Sequence, residues 1–323
     1  MPVRIISTGG TIASTEDEGA DTNPDLTSDD LVAAVPALGA LADVETEDFS
    51  TVPSPYLTFE DLLELVDRLA ELDDDLNVDG VVVTQGTDNL DETSYFVDCC
   101  YDGGTPVAFT GAMRTPSQAG PDGPANLLAS VRTVLSDTAR EQGALVVFND
   151  RVHAAREVVK THSMNVDTFQ TPEFGPLASV DENRVTWRRY PESPDPTFEP
   201  LSSDLPETVL TCVATLDMSD SVLRLGRDAD AVCLAAMGAG HVPPKVLPAL
   251  ETLRDDGVPV VATTRCPEGR LARRTYGFRG SERTLQELGC YYSDLNLQKT
   301  RVKTVLALAD GRLADAFDRP TPS

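Results

Sequence analysis

The chain has 323 residues, 41% of them hydrophobic, which exceeds one domain of the usual ~100–200 residues and excludes a disordered or low-complexity protein. It carries 53 Asp and Glu against 26 Lys and Arg, a net charge of −27. A surface this acidic repels phosphate backbones and anionic lipid, so neither a nucleic-acid nor a membrane partner is expected.

Taken in chain order, apolar runs alternate with segments of helical period, the pattern of an α/β protein with a largely parallel sheet. Strands are predicted at Val3–Ser7, Val78–Thr84, Pro106–Thr110, Ala144–Phe148, Val209–Val213, Ala231–Ala235 and Val258–Thr263. Helices are predicted at Ser28–Leu38, Thr58–Leu72, Leu90–Tyr101, Pro124–Leu135 and Lys245–Asp255. Thr58 suits a cap, and Phe59, Leu62, Leu63, Val66 and Leu69 recur on one face behind it. Between Arg188 and Thr208, five prolines are mixed with Ser, Asp and Glu, which interrupts both strand and helix. The expected organisation is therefore an N-terminal α/β domain over residues 1–190, a linker over 191–208 and a C-terminal α/β domain over 209–323.

The opening Met1-Pro2-Val3-Arg4-Ile5-Ile6-Ser7 reads as a first strand and lacks the long apolar core of a signal peptide, so a cytoplasmic location is expected. No run of about 18 apolar residues is present. Only four basic residues are lysines (Lys160, Lys245, Lys299 and Lys303). Self-repulsion at this charge density loosens a compact state at low ionic strength, and a protein adapted to a high-salt cytoplasm is expected. The six cysteines, Cys99, Cys100, Cys212, Cys233, Cys266 and Cys290, show no metal-ligand or disulfide spacing and read as buried thiols. No metal and no cofactor are expected.

In open α/β sheets ligands sit beyond the carboxyl ends of strands. The first such loop is Ser7-Thr8-Gly9-Gly10-Thr11, where paired glycines permit a sharp turn and present amides and a hydroxyl. The second is Gln85-Gly86-Thr87-Asp88-Asn89, followed by Asp91 and Glu92, which suit the first turn of a helix simply as negative charge. Gly111-Ala112-Met113-Arg114 follows the third strand, and Lys160 ends a short apolar run. A lysine desolvated beside Asp88 is a base or electrostatic partner for a hydroxyl.

Together these blocks resemble the bacterial-type L-asparaginase/glutaminase family. Thr8-Gly9-Gly10-Thr11-Ile12-Ala13 looks like its first signature, and Gln85-Gly86-Thr87-Asp88-Asn89 its second, usually His-Gly-Thr-Asp-Thr. Gly111 to Arg114 with Asp122 to Asn126, Asn149-Asp150, Lys160-Thr161, Gly238-Ala239-Gly240 and Leu297 to Arg301 continue the match in order. The resemblance implies a two-domain asparaginase-like fold with a smaller, flavodoxin-like C-terminal domain. It implies an amidohydrolase that converts L-asparagine to L-aspartate and ammonia, with Thr11 as nucleophile and an acyl-enzyme. Thr87, Asp88 and Lys160 would form a second, hydroxyl-centred triad. Asp88 would also hold the substrate ammonium, Ser54 the α-carboxylate and the Ala112 backbone the reacting amide, with Thr87 in contact. The loop from Ser14 to Pro24 would be a lid, and the chain a homo-oligomer, dimer or tetramer. His153 and His162 read as structural.

The chain also departs from the family. No Tyr lies between Ile12 and Ser50, where members carry a proton partner for the nucleophile; Tyr56 is a candidate for that role or a packing residue. Pro55 follows Ser54 where Gln or Glu is usual, and His241 replaces a common Asn. The alternatives are a glutaminase or another amidohydrolase of this fold, including an amidotransferase subunit, and a non-catalytic amino-acid-binding protein.

Overall fold

The computed structural model describes residues 1–10, 14–15, 23–24, 27–140, 142–191 and 195–321. The chain divides into two compact units, Met1–Thr197 and Phe198–Ser323.

In the first unit the strands are β1 (Pro2–Ser7), β2 (Ser14–Thr15), β3 (Asn23–Pro24), β4 (Asp43–Asp48), β5 (Gly80–Thr84), β6 (Val107–Thr110), β7 (Ala144–Phe148), β8 (Arg151–Ala154), β9 (Val159–Lys160), β10 (Phe169–Gln170), β11 (Ala178–Asp181) and β12 (Arg184–Trp187). Eight of them form one sheet in the order β12-β11-β8-β7-β6-β5-β1-β4. From β4 to β7 every pairing is parallel. The β7–β8 hairpin then reverses direction and the remaining pairs are antiparallel. Asn149 and Asp150 make that reversal with φ of 49° and 57°, a left-handed conformation that Asn and Asp tolerate in two-residue hairpin turns. The helices are α1 (Ser28–Ala33), α2 (Phe59–Asp73), α3 (Leu90–Cys100) and α4 (Gly123–Val134).

Side-chain alternation along the strands divides the core into two layers. Val3, Ile5, Val82, Ala108, Leu145 and Val147 share one cluster with Leu31 of α1 and Leu127 and Val131 of α4. Ile6, Val81, Val83, Val107, Phe109 and Val146 share the other with Leu65 and Leu69 of α2 and Val97 of α3. With both faces covered, β5 and β7 are buried at every position, as parallel strands between helical layers must be.

Two sequence expectations need adjustment here. The first helix stops at Ala33 and a 3₁₀ turn runs from Pro36 to Ala40, because Pro36 disfavours helical backbone at the residue before it. On α2 the buried face is Leu62, Leu65, Leu69 and Leu72, while Phe59, Leu63 and Val66 are only partly covered. Thr58 does cap α2, reciprocally with Asp61 in a capping box.

The second unit adds β13 (Val209–Val213), β14 (Ala231–Ala236), β15 (Val260–Thr264) and β16 (Tyr291–Tyr292), a parallel sheet in chain order. Its helices are α5 (Ser221–Leu225), α6 (Leu247–Asp255), α7 (Glu282–Glu287), α8 (Leu297–Ala309) and α9 (Leu313–Ala316). Two residues within the Pro-rich stretch make defined contacts. The Asp195 carboxylate is buried and accepts from Tyr95 Oη at 2.7 Å and Arg156 Nε at 2.9 Å in the first unit. Phe198 is buried in the second, near the Arg312 guanidinium. Among the described residues no helix is long and apolar enough to cross a membrane.

All six cysteines are free thiols. Burial pushes the Cys233 thiol up to about 11 and the Cys212 and Cys290 thiols up to about 12. Cys266 is exposed, against the expectation that all would be buried. It lies just past β15, on a loop.

Candidate active site

The site is assembled at the carboxyl ends of β1, β5 and β6. After β1, Thr8 ties the turn to the end of β5, since its N–H and hydroxyl both donate to Thr84 O, at 2.9 and 3.1 Å. Gly9 and Gly10 follow with φ of +91° and +97°. A Cβ on Gly10 would lie 2.1 Å from the Gly86 nitrogen, and one on Gly9 2.6 Å from Val52 O. Only a glycine pair lets these three loops meet. Thr11 lies outside the described residues, as does most of the segment expected to form a lid.

The β5 strand ends in Gln85-Gly86-Thr87-Asp88-Asn89, which leads straight into α3. Lys160 reaches this loop from β9. Its Nζ donates to Thr87 Oγ1 at 3.0 Å and to Asp88 Oδ1 at 2.9 Å. Thr87 is buried and the Lys160 side chain is only 15% exposed, whereas the Asp88 side chain is 68% exposed. The lysine backbone is secured by the same helix, because its N–H donates to Asp91 Oδ2 at 3.2 Å in the first turn of α3. One element thus fixes both the loop and the lysine that serves it.

The third loop, Gly111 to Arg114, is pinned by the Asp122 carboxylate, which accepts from Met113 N at 3.1 Å and Arg114 N at 2.9 Å. Asn126, buried on α4, donates to Gly111 O at 3.0 Å and accepts from Asn149 N at 2.9 Å. A Cβ on Gly111 would meet Gln85 O at 2.4 Å and Thr87 Cγ2 at 3.3 Å. This places the buried Ala112 directly after the point of closest approach. Ser54 is also buried, in a short 3₁₀ turn Ser54–Tyr56, and its carbonyl accepts from Asn89 Nδ2 at 2.7 Å. Its hydroxyl faces Gly86, whose added Cβ would sit 2.6 Å away.

Thr87, Asp88 and Lys160 are therefore in mutual contact, Ser54 abuts their loop through Gly86, and Ala112 follows the neighbouring loop. A lysine amine between a buried hydroxyl and a carboxylate has a defined chemical capacity. The neutral amine can take the hydroxyl proton, and the carboxylate stabilises the ammonium that results. The exposed Asp88 oxygen is free to meet a cation from solvent. Among the described residues no group of three or more His, Cys, Asp or Glu could hold a metal ion.

Five other placements bear on the sequence reading. Tyr56 is 71% exposed, which removes the packing role considered for it. His153 is buried with Nδ1 2.8 Å from Thr171 Oγ1, and His162 Nδ1 accepts from the Met164 and Asn165 amides, so both hold local structure. His241 belongs to the second unit, beside Tyr276, Phe278 and Glu282. Asp91 is more than a favourable charge at a helix start: it is 7% exposed and carries the Lys160 amide. Its spacing of three from Asp88 was the available signal. Gln85, Asn89 and Asn126 were within recognisable motifs, but nothing in sequence shows what their amides hold.

Comparison with known proteins places this geometry in a family. Residues 2–193 match the asparaginase N-terminal domain and residues 208–319 the glutaminase/asparaginase C-terminal domain. The chain is 32% identical to an L-asparaginase of Bacillus licheniformis over 309 residues, covering 95% of each chain. It is 32% identical to a glutaminase-asparaginase of Pseudomonas fluorescens biotype A, covering 95% of this chain and 86% of that protein. Among solved structures, the probable cytoplasmic L-asparaginase of Campylobacter jejuni superposes with a TM-score of 0.84 at 30% identity, covering 95% of this chain and 94% of that one. The chain belongs to the asparaginase family. It has that family's two-domain α/β fold and is an amidohydrolase.

Proposed function

We propose that the chain hydrolyses the side-chain amide of L-asparagine to L-aspartate and ammonia. Thr11 attacks the amide carbon, the C–N bond breaks with the nitrogen leaving protonated as ammonia, and water then cleaves the ester to release aspartate. Lys160 and Thr87 move the proton at the site, with Asp88 holding the lysine ammonium and the substrate ammonium. Ser54 donates to the α-carboxylate, and the backbone at Ala112 bonds the reacting carboxamide. The zwitterion requires an anion for its ammonium and donors for its carboxylate, and the carboxamide requires donors where negative charge develops.

The observation that carries this reading is the Lys160 amine within hydrogen-bond reach of both Thr87 and Asp88 in a chain whose relatives are named L-asparaginases and glutaminase-asparaginases. L-Glutamine is the second substrate to try. The catalytic domain is residues 1–190 with a linker over 191–208, and the enzyme works as a cytoplasmic homo-oligomer, dimer or tetramer. At −27 per chain, subunits repel over ~30 Å in dilute buffer and only over ~3 Å near 1 M salt. The charge is accordingly an adaptation to high salt.

Ammonia release from L-asparagine and L-glutamine in molar KCl, with Thr11→Ala as control, tests the function. Turnover in the wild type that Thr11→Ala retains in full would refute the threonine nucleophile. Light scattering across a salt series tests the assembly; unchanged mass and activity in dilute buffer would rule out the salt adaptation.

A further inference from the structure

The helix that follows the Thr87–Asp88 loop starts in an uncommon way. Asn89 stands at the N-cap of α3, where an Asn side chain ordinarily accepts a hydrogen bond from a first-turn amide of its own helix. Here the side chain makes no cap bond. Its Oδ1 accepts from Gln85 Nε2 at 2.9 Å, and its Nδ2 donates to the Ser54 carbonyl at 2.7 Å. Gln85 is fully buried, and its Nε2 also donates to Thr93 Oγ1 on α3 at 3.0 Å. A relay of side-chain bonds therefore runs from inside α3, through Gln85 and Asn89, to the backbone of the Ser54 turn.

That turn has little else to hold it. Ser54 lies between Pro53 and Pro55, neither of which has an N–H to offer. The turn's own bonds are local, Tyr56 N to Pro53 O at 2.9 Å and Leu57 N to Ser54 O at 3.2 Å. The Ser54 hydroxyl makes no hydrogen bond among the described residues, and among these its direction follows the backbone of the turn. A helix that diverts its cap to a neighbouring loop loses local stability, and the placement of the Ser54 hydroxyl is what that diversion secures.

We propose that Asn89, backed by Gln85, is a positioning residue for the α-carboxylate subsite: it sets the Ser54 hydroxyl against the Thr87–Asp88 loop and so determines how tightly the amino-acid end of the substrate is held. The inference rests on the reading of Ser54 as the carboxylate donor. Asn89 takes no part in the Lys160 bonds to Thr87 and Asp88, so its effect falls on substrate binding and not on the chemical step.

The test is Asn89→Ser. Serine is as good an N-cap as asparagine, so α3 keeps its start, but the side chain is too short to reach Ser54. The expected result is a KM for L-asparagine raised about tenfold, as for one lost hydrogen bond to a binding group, with kcat within about twofold and thermal stability unchanged. Asn89→Asp keeps the size and the bond from Gln85 but turns an oxygen on the Ser54 carbonyl, and raises KM further. A wild-type KM in both variants, or a fall in kcat with KM unchanged, overturns the proposal. Titration calorimetry with L-aspartate needs no turnover and separates this inference from the function it deepens. Wild-type protein that binds aspartate but releases no ammonia would refute hydrolysis alone; equal aspartate affinity in wild type and Asn89→Ser would refute the relay alone.

Discussion

Each unit has a largely parallel sheet whose strand-end loops gather polar side chains, yet the two gatherings are opposite in character. In the first, Lys160, Thr87 and Asp88 are joined by hydrogen bonds of about 3 Å and the carboxylate stands 68% exposed. In the second, the loop after β14 presents His241 to Glu282, a carboxylate with no exposure at all. Glu282 Oε1 accepts from the Thr275 and Tyr276 amides at 2.9 and 2.5 Å. Its Oε2 lies 3.8 Å from His241 Nε2, and the His241 ring packs against the rings of Tyr276 and Phe278. Strand-end topology selects both places. What separates them is the use of the carboxylate: one is left open to a solute, the other is buried and holds two loop amides through one of its oxygens.

The largest expected effect tests the open end. Lys160→Ala and Thr87→Ala should each lower kcat roughly a thousandfold, in the range of lost general acid–base catalysis, without lowering Tm. The double variant should be little worse than either single one. Lys160→Arg should fail as well, since a guanidinium does not release its proton. Steady-state kinetics beside thermal melts decides this, and independent additive losses would break the unit apart.

Glycines in the two sets of loops give the next contrast. Gly10→Ala combines a left-handed φ of +97° with a Cβ 2.1 Å from backbone, and should cost roughly 2–5 kcal/mol. Gly238, after β14, also has positive φ, but its Cβ would meet nothing within 4 Å. Gly238→Ala should cost about 1 kcal/mol, the backbone penalty alone. Denaturant unfolding of both variants measures the difference, and equal losses would mean that the loop contacts at Gly10 yield readily.

Glu282 sharpens the closed end. Glu282→Ala removes the acceptor shared by the Thr275 and Tyr276 amides and should lose about 1 kcal/mol, whereas Glu282→Gln keeps an acceptor for both and should lose less. The smallest effect concerns Asp73, at the end of α2. Burial works against its ionisation, yet hydrogen bonds from Thr105, Gly104 and Tyr101 hold its carboxyl below the ordinary value. A depressed carboxyl contributes stability that is complete above the unfolded-state value near ~4 and disappears as pH falls through the lower folded value. Asp73→Asn should therefore be less stable at neutral pH and flatten the loss of stability below about pH 4. Melts at pH 7 and pH 3 read this directly.

The parallel core was legible because strands such as β5 and β7 are buried at every position and so write themselves as uninterrupted apolar runs. β4 was not, because Asp43–Asp48 is an edge strand of alternating acids, the composition that keeps an edge from pairing further. Nor does α8 show an apolar stripe: Lys299, Thr300, Lys303 and Thr304 are all buried within it. At the candidate site, Thr87 and Asp88 could be found as loop residues beyond a strand and Lys160 as the end of a short apolar run. The supporting roles of Gln85, Asn89, Asp91 and Asn126 depend on which backbone group each side chain meets across the fold, and no periodicity encodes that.

The bond from the Lys160 amide to Asp91 gives the molecule a built-in clock. A backbone proton held by a buried helix-start carboxylate exchanges with solvent only when that carboxylate lets go, and here letting go means separating the lysine strand from α3. Deuterium uptake at this single amide would time the opening of the candidate site under native conditions, without substrate and without unfolding the chain.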